Sequence, residues 1–205
     1  MTRFSVPLLA LAAFAAALFF TQPSSASEPA PEAASNGLAT AIFAGGCFWC
    51  VESDFEKLDG VRGAVSGYSG GLMQNPTYED HEGHLEAVEV TYDPSVVSYR
   101  SLVDYHLRHI DPLDDGGQFC DRGPAYKSAI FAADAGEWAD AQASIKDAEK
   151  VLGRKIVTPV LDRGEFWIAE GYHQDYHLKN KLKYKFYRTT CGRDARVKKV
   201  WGAAH

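Results

Sequence analysis

From residue 39 to residue 132 the hydrophobic pattern switches between strand and helix periods, and that succession limits the folds open to the chain. Residues 39–44 form a short apolar run broken by Gly45 and Gly46; Phe48, Val51, Phe55 and Leu58 then recur at helical spacing until Gly60. Residues 61–68 read as a second strand before the Gly70-Gly71 turn, and residues 85–92 alternate clearly until Pro94. Ser98 suits the N-cap of a helix with Leu102, Val103, His106 and Ile110 on one face, and residues 127–132 read as a fourth strand. The order β-α-β-β-α-β predicts an α+β protein, a ferredoxin-like two-layer sandwich with a split βαβ core. Beyond it, Trp138, Ala141, Ile145, Ala148 and Leu152 mark another helix, residues 156–161 a strand, and the polar-aromatic tail from Tyr172 additional C-terminal helices.

The residues before this pattern belong to a different kind of segment. Arg3 precedes a run from Val6 to Phe20 interrupted only by Pro7, and small residues follow at Ser24, Ser25 and Ala26. This is the pattern of a secretory signal peptide over residues 1–26, with cleavage expected after Ala26. Residues 27–38, rich in Pro, Ala, Ser and Glu, read as a flexible tether, which leaves 39–205 as one catalytic domain. A periplasmic or secreted protein, detached from the membrane after cleavage and monomeric, is expected.

Removing Arg3 with the signal takes the formal charge from −6 to −7, and basic residues cluster only at 179–185 and 193–199. That balance argues against a nucleic-acid partner, and the clusters read as solvated helix faces. Four cysteines remain, Cys47, Cys50, Cys120 and Cys191, and an exported compartment lets them pair. A domain this long does not need staples, so catalytic use is the better reading.

Cys47 follows two glycines where a strand turns into a helix, facing unpaired backbone N–H groups and the positive end of the helix dipole. Both favour a nucleophilic thiolate. Cys50 lies one turn on, as in other CxxC pairs. Glu86 shares a strand face with Val88, Val90 and Tyr92. Desolvation there raises a carboxyl pKa and keeps it able to donate a proton. Tyr78 and Tyr126 each follow turn sequences that can aim a phenol into a site. His173 and His177 are four apart on an expected helix, but Gln174 stands where the metalloprotease motif needs Glu, so a structural role is preferred.

Gly46-Cys47-Phe48-Trp49-Cys50-Val51-Glu52, Ser66-Gly67-Tyr68-Ser69-Gly70-Gly71, Asn75-Pro76-Thr77-Tyr78, Gly83-His84-Leu85-Glu86, Tyr92-Asp93-Pro94, Asp121-Arg122-Gly123 and Gly171-Tyr172-His173-Gln174-Asp175-Tyr176 occur in this order across residues 42–202. Taken together they resemble the A-type peptide methionine sulfoxide reductases. The resemblance implies that Cys47 attacks the sulfoxide sulfur while Glu86, assisted by Tyr78 and Tyr126, protonates the oxygen, leaving Cys47 as a sulfenic acid. It also implies that Phe48 and Trp49 line the pocket for the substrate methyl group and that Asp121 supports the polar side. The S epimer, free or in proteins, would be the substrate, with no metal or organic cofactor. A second thiol would form a disulfide that a thioredoxin-like donor reduces. Many relatives have Gly at the place of Cys50 and a C-terminal Cys resembling Cys191, whereas this chain has both; one-turn closure from Cys47 to Cys50 would strain the helix that activates Cys47, so Cys191 is favoured over Cys50, with Cys120 a third route or only a packed thiol. The stretch between Tyr78 and Glu86 is shorter than in many relatives.

A thioredoxin-like disulfide exchanger using Cys47 and Cys50 is the main rival, prompted by the CxxC and by Val157-Thr158-Pro159; it predicts a different strand order. A zinc-stabilised module holding metal through Cys47, Cys50 and two histidines is a further one.

Overall fold

The computed structural model describes Met1 and residues 37–202; the expected signal peptide and nearly all of the expected tether lie outside the described residues. The elements run β1 (Ala39–Gly45), α1 (Phe48–Phe55), β2 (Val61–Ser69), β3 (Leu85–Tyr92), α2 (Tyr99–Arg108), a small hairpin of β4 (Gly117–Gln118) and β5 (Asp121–Arg122), and a 3-10 turn (Pro124–Tyr126). They continue with β6 (Ser128–Ala132), α3 (Ala135–Leu152), β7 (Val160–Asp162), β8 (Phe166–Ile168), α4 (Tyr176–Lys179), α5 (Lys181–Thr190) and α6 (Arg193–Trp201).

Six strands form one mixed sheet in the order β7-β6-β1-β3-β2-β8, antiparallel throughout except for β6 with β7. The chain is therefore α+β. Alternation along β1 sends Ala41 and Phe43 to one face, where they meet Phe48, Val51 and Phe55 of α1, Leu102, Val103 and Leu107 of α2, Ala141 and Ala148 of α3, and Val197 and Trp201 of α6. Ile42 and Ala44 join Ala87, Ala129, Phe131 and Phe166 in a smaller cluster. Ser98 caps α2 by accepting from the Ser101 amide, as its place in the sequence suggests.

Three features differ from the sequence reading. The strand expected at 156–161 shrinks to Val160–Asp162, because the residues before it bond individually to β6: Ser128 and Thr158 share a hydroxyl hydrogen bond of 2.9 Å, and Ile130 N donates to Pro159 O. Strand β8, three residues long, is too short to show a period and exists through its pairing with β2. His173 and His177 do not share a helix, since Asp175 between them adopts a left-handed φ of 53° and α4 starts only at Tyr176.

The cap of α3 gives a simple test of this reading. Asp134 accepts from Gly136 N (2.7 Å) and Glu137 N (2.9 Å) at an exposed helix start. Asp134→Ala is expected to lower unfolding free energy by about 1 kcal/mol in urea titration, with activity unchanged.

Candidate active site

Three elements converge where β1 passes into α1. Gly46 has a φ of +80°, and a side chain there would meet Gln118 Cβ at 2.5 Å, so glycine is required for the turn to pack against the β4 hairpin. Gln118 is itself fixed by two 2.8 Å bonds with the backbone of Asp111. The turn sets Cys47, 6% exposed, as the N-cap of α1.

Glu86 reaches the same point from the sheet. It is 2% exposed, and its Oε2 accepts from the Phe48 amide at 3.0 Å, the first N–H after Cys47. Burial raises its pKa to about 8, only partly offset by the Phe48 bond, so the carboxyl holds its proton at neutral pH. The apolar strand face predicted around Glu86 is present, with Val88, Val90 and Tyr92 all buried.

The phenols and rings complete the wall. Tyr78 and Tyr126 share a hydrogen bond and both face Glu86; burial first, then that carboxylate, raises both phenols, so they remain protonated donors. Tyr187 of α5 donates to Asp121 and also bonds Cys47. Trp49 stacks on Tyr176 with ring centres 3.7 Å apart and donates through Nε1 to His173 Nδ1 at 3.0 Å. Phe48 lies 4.8 Å and Tyr78 4.6 Å from the His173 ring, centre to centre. The structure thus brings together Cys47, Glu86, Tyr78, Tyr126, Asp121, Phe48, Trp49 and Cys50.

Tyr187 and Tyr176 were not singled out from the sequence, and His173 was read as merely structural. Nothing local distinguishes Tyr187 in the run Lys185-Phe186-Tyr187-Arg188; only the docking of α5 aims it at Cys47. The same holds for the platform beneath the site. Glu52 is fully buried, accepts from Ser66 Oγ and from Asp175 N (2.7 Å), and its pKa is raised by burial to about 7. Gln174 bridges Ser66 and Ala169, pinning the segment that carries His173 and Tyr176.

The electrostatics around the thiols correct one expectation. Burial pushes the Cys47 thiol well up, and contact with Cys50 and Glu86 adds to this. The free helix-terminal amide that was to stabilise a thiolate is occupied by Glu86. Cys50 instead comes down to about 7, through the bond from Cys47 against the cost of burial, helped by Arg193 and Arg188. Burial and the bond between the two sulfurs thus bias Cys47 toward the thiol and Cys50 toward the thiolate. Cys47 and Cys50 are free, and Cys120 and Cys191 are joined by a disulfide. Among the described residues, the clusters with metal-ligand spacing are Cys120, Asp121 and Cys191, and Glu52, Glu56 and Asp175; neither has the Cys47, Cys50 and histidine set of a zinc module.

Comparison with known proteins agrees with this geometry. Residues 39–205 match the family model described as peptide methionine sulfoxide reductase. The chain is 49% identical over 191 residues to peptide methionine sulfoxide reductase MsrA 2 of Rhizobium meliloti, covering 92% of each chain. It is 48% identical over 177 residues to MsrA 2 of Caulobacter vibrioides, covering 84% of this chain and 90% of that one. Among solved structures it is similar to methionine sulfoxide reductase A of Corynebacterium diphtheriae, with a TM-score of 0.64 and 31% identity over 72% of this chain and 77% of that one. With a buried thiol and a protonated carboxyl meeting at one turn, and this likeness along the whole folded region, the chain belongs to the A-type peptide methionine sulfoxide reductase family.

Proposed function

We propose that this protein reduces the S epimer of methionine sulfoxide, free or in proteins, through a Cys47 sulfenic acid, and that a thioredoxin-like donor reduces the disulfide that follows. The observation that carries the reading is the 3.0 Å bond between Glu86 and the Phe48 amide, which holds an undissociated carboxyl beside the Cys47 sulfur. Cys47 attacks the sulfoxide sulfur, and its proton passes to Glu86 to replace the one that Glu86 gives up. Glu86 gives a proton to the sulfoxide oxygen, with Tyr78 and Tyr126 donating hydrogen bonds to it as negative charge builds there. The oxygen passes to Cys47 as S–OH and the substrate leaves as the thioether, so sulfoxide sulfur is reduced and the Cys47 sulfur oxidised. Phe48 and Trp49 offer apolar surface to the methyl group, and Asp121 holds Tyr187 against the nucleophile.

The resolving step is assigned to Cys50. It adjoins Cys47, whereas Cys191 is bonded to Cys120. Closing a one-turn pair is easier than the sequence suggests, because Cys47 has non-helical angles (φ −49°, ψ 117°) and only Cys50 is inside the helix. We further read the strands β6-β1-β3-β2 as a ferredoxin-like core, and the protein as an exported monomer.

An assay with separated sulfoxide epimers, coupled to a free-thiol count after one turnover, tests the whole reading. Consumption of the S epimer with loss of two thiols is expected, and equal use of both epimers would remove it. For the resolving step, Cys50→Ser is expected to release one methionine per chain and then cut turnover with a dithiol protein donor by at least ~10-fold. Cys191→Ser is expected to keep turning over; the reverse pattern would move the role to Cys191.

A further inference from the structure

Below the two free thiols a buried guanidinium lies beside a carboxylate without a hydrogen bond to it. Arg193, the first residue of α6, is 2% exposed. Its Nη1 donates to Gly45 O at 3.2 Å, and its guanidinium lies 4.6 Å over the Phe119 ring. The carboxylate facing it, Asp54, is largely taken up elsewhere: Oδ1 pairs with Arg188 at 2.8 Å and with Lys57 at 3.2 Å. Arg193 Nε and Asp54 Oδ2 stand 3.6 Å apart, and neither atom has a hydrogen bond. A guanidinium buried this way, with Asp54 Oδ2 beyond hydrogen-bond reach of its Nε, favours additional negative charge beside it. Cys50 precedes Asp54 by one turn on the same face of α1, itself 2% exposed, and both Arg193 and Arg188 act on it.

We propose that Arg193, backed by Arg188, is the positioning residue that holds Cys50 as a thiolate between turnovers, so that the C-terminal segment beyond Cys191 sets the rate at which the sulfenic acid is resolved. This rests on Cys50 being the resolving thiol. In that step the Cys50 thiolate attacks the Cys47 sulfur, the S–S bond forms as the S–O bond breaks, and the departing hydroxide takes the Glu86 proton to leave as water. Glu86 regains its proton from solvent. The sulfur of Cys50 is oxidised and that of Cys47 reduced by the same pair of electrons.

The groups facing Cys50 come from four elements: Cys47 and Asp54 on and before α1, Glu86 from β3, Tyr184 and Arg188 from α5, and Arg193 from α6. Of these, only the two arginines are cations, and only Arg193 lacks a carboxylate hydrogen bond. Cys191 and Gly192 immediately precede Arg193, so the Cys120–Cys191 bond anchors the segment that carries it.

Thiolate absorbance at 240 nm reads Cys50 directly in a Cys47→Ser background, where it is the one unpaired thiol. Adding Arg193→Met should raise the midpoint of that titration by about one pH unit, while Arg193→Lys should stay near the parent. With Cys47 restored, Arg193→Met should let the sulfenic acid, trapped with dimedone, persist about tenfold longer at pH 7, with the gap closing toward pH 9. Melting temperatures and the Lys variant separate this from misfolding. An unchanged midpoint and lifetime, with peptide mapping still showing a Cys47–Cys50 disulfide, overturns the role of Arg193 alone. A first disulfide mapped to Cys47–Cys191 overturns the resolving assignment itself.

Discussion

Cys47→Ser should leave a folded protein with less than about one thousandth of wild-type activity on methionine sulfoxide. A hydroxyl fits the same N-cap, and burial gives it no means of ionising, so no sulfur nucleophile remains to take the oxygen. Neighbouring Cys50 does not substitute. It lies inside the helix, three residues past the N-cap position beside which the Phe48 amide holds Glu86. Methionine release followed by chromatography is the measurement, and activity within tenfold of wild type would remove Cys47 from the mechanism.

Glu86→Gln is expected to lower kcat/KM by about 10²- to 10³-fold and to change the shape of the pH profile. The wild-type carboxyl titrates at about 8, so the proton donor is present below that pH and activity falls as pH rises through it. Glutamine removes this alkaline limb. Stability should move the other way. A carboxyl whose folded pKa is raised from 4.5 to about 8 contributes stability fully below pH 4.5 and loses it progressively as pH climbs through 8, because the folded state must then bury a charge. The variant carries no such charge and should melt higher than wild type at pH 9, with the difference shrinking toward pH 5. An alkaline limb that persists near pH 8 in Glu86→Gln would assign it to another group, Cys50 first among them.

Both expectations trace to one arrangement: an amide at the head of α1 is given to Glu86 instead of Cys47. The bond keeps Glu86 beside the sulfur, and its burial keeps the proton on the carboxyl. Cys47, deprived of that amide and enclosed by rings, rests as a thiol.

Much of this was present in the chain before it folded. Period-two and helical patterns placed β1 to β3, α2 and β6 to within two residues and α1 and α3 to within three, since burial of one face acts through nearest neighbours along the chain. The Gly45-Gly46-Cys47 turn and the apolar face of Glu86 are local as well, and so were the proposed nucleophile and acid. What folding alone decided is everything that depends on distant segments meeting. Helix α5 carries Tyr187 to Cys47, the break at Asp175 turns His173 into a ring-stacking partner, and the Cys120–Cys191 bond spans 71 residues. The protonation order of the two thiols is of this second kind. It runs against the helix-end expectation because the burial of Cys47 by the folded structure, and the charge of Arg188 and Arg193 near Cys50, depend on elements that a spacing argument cannot place.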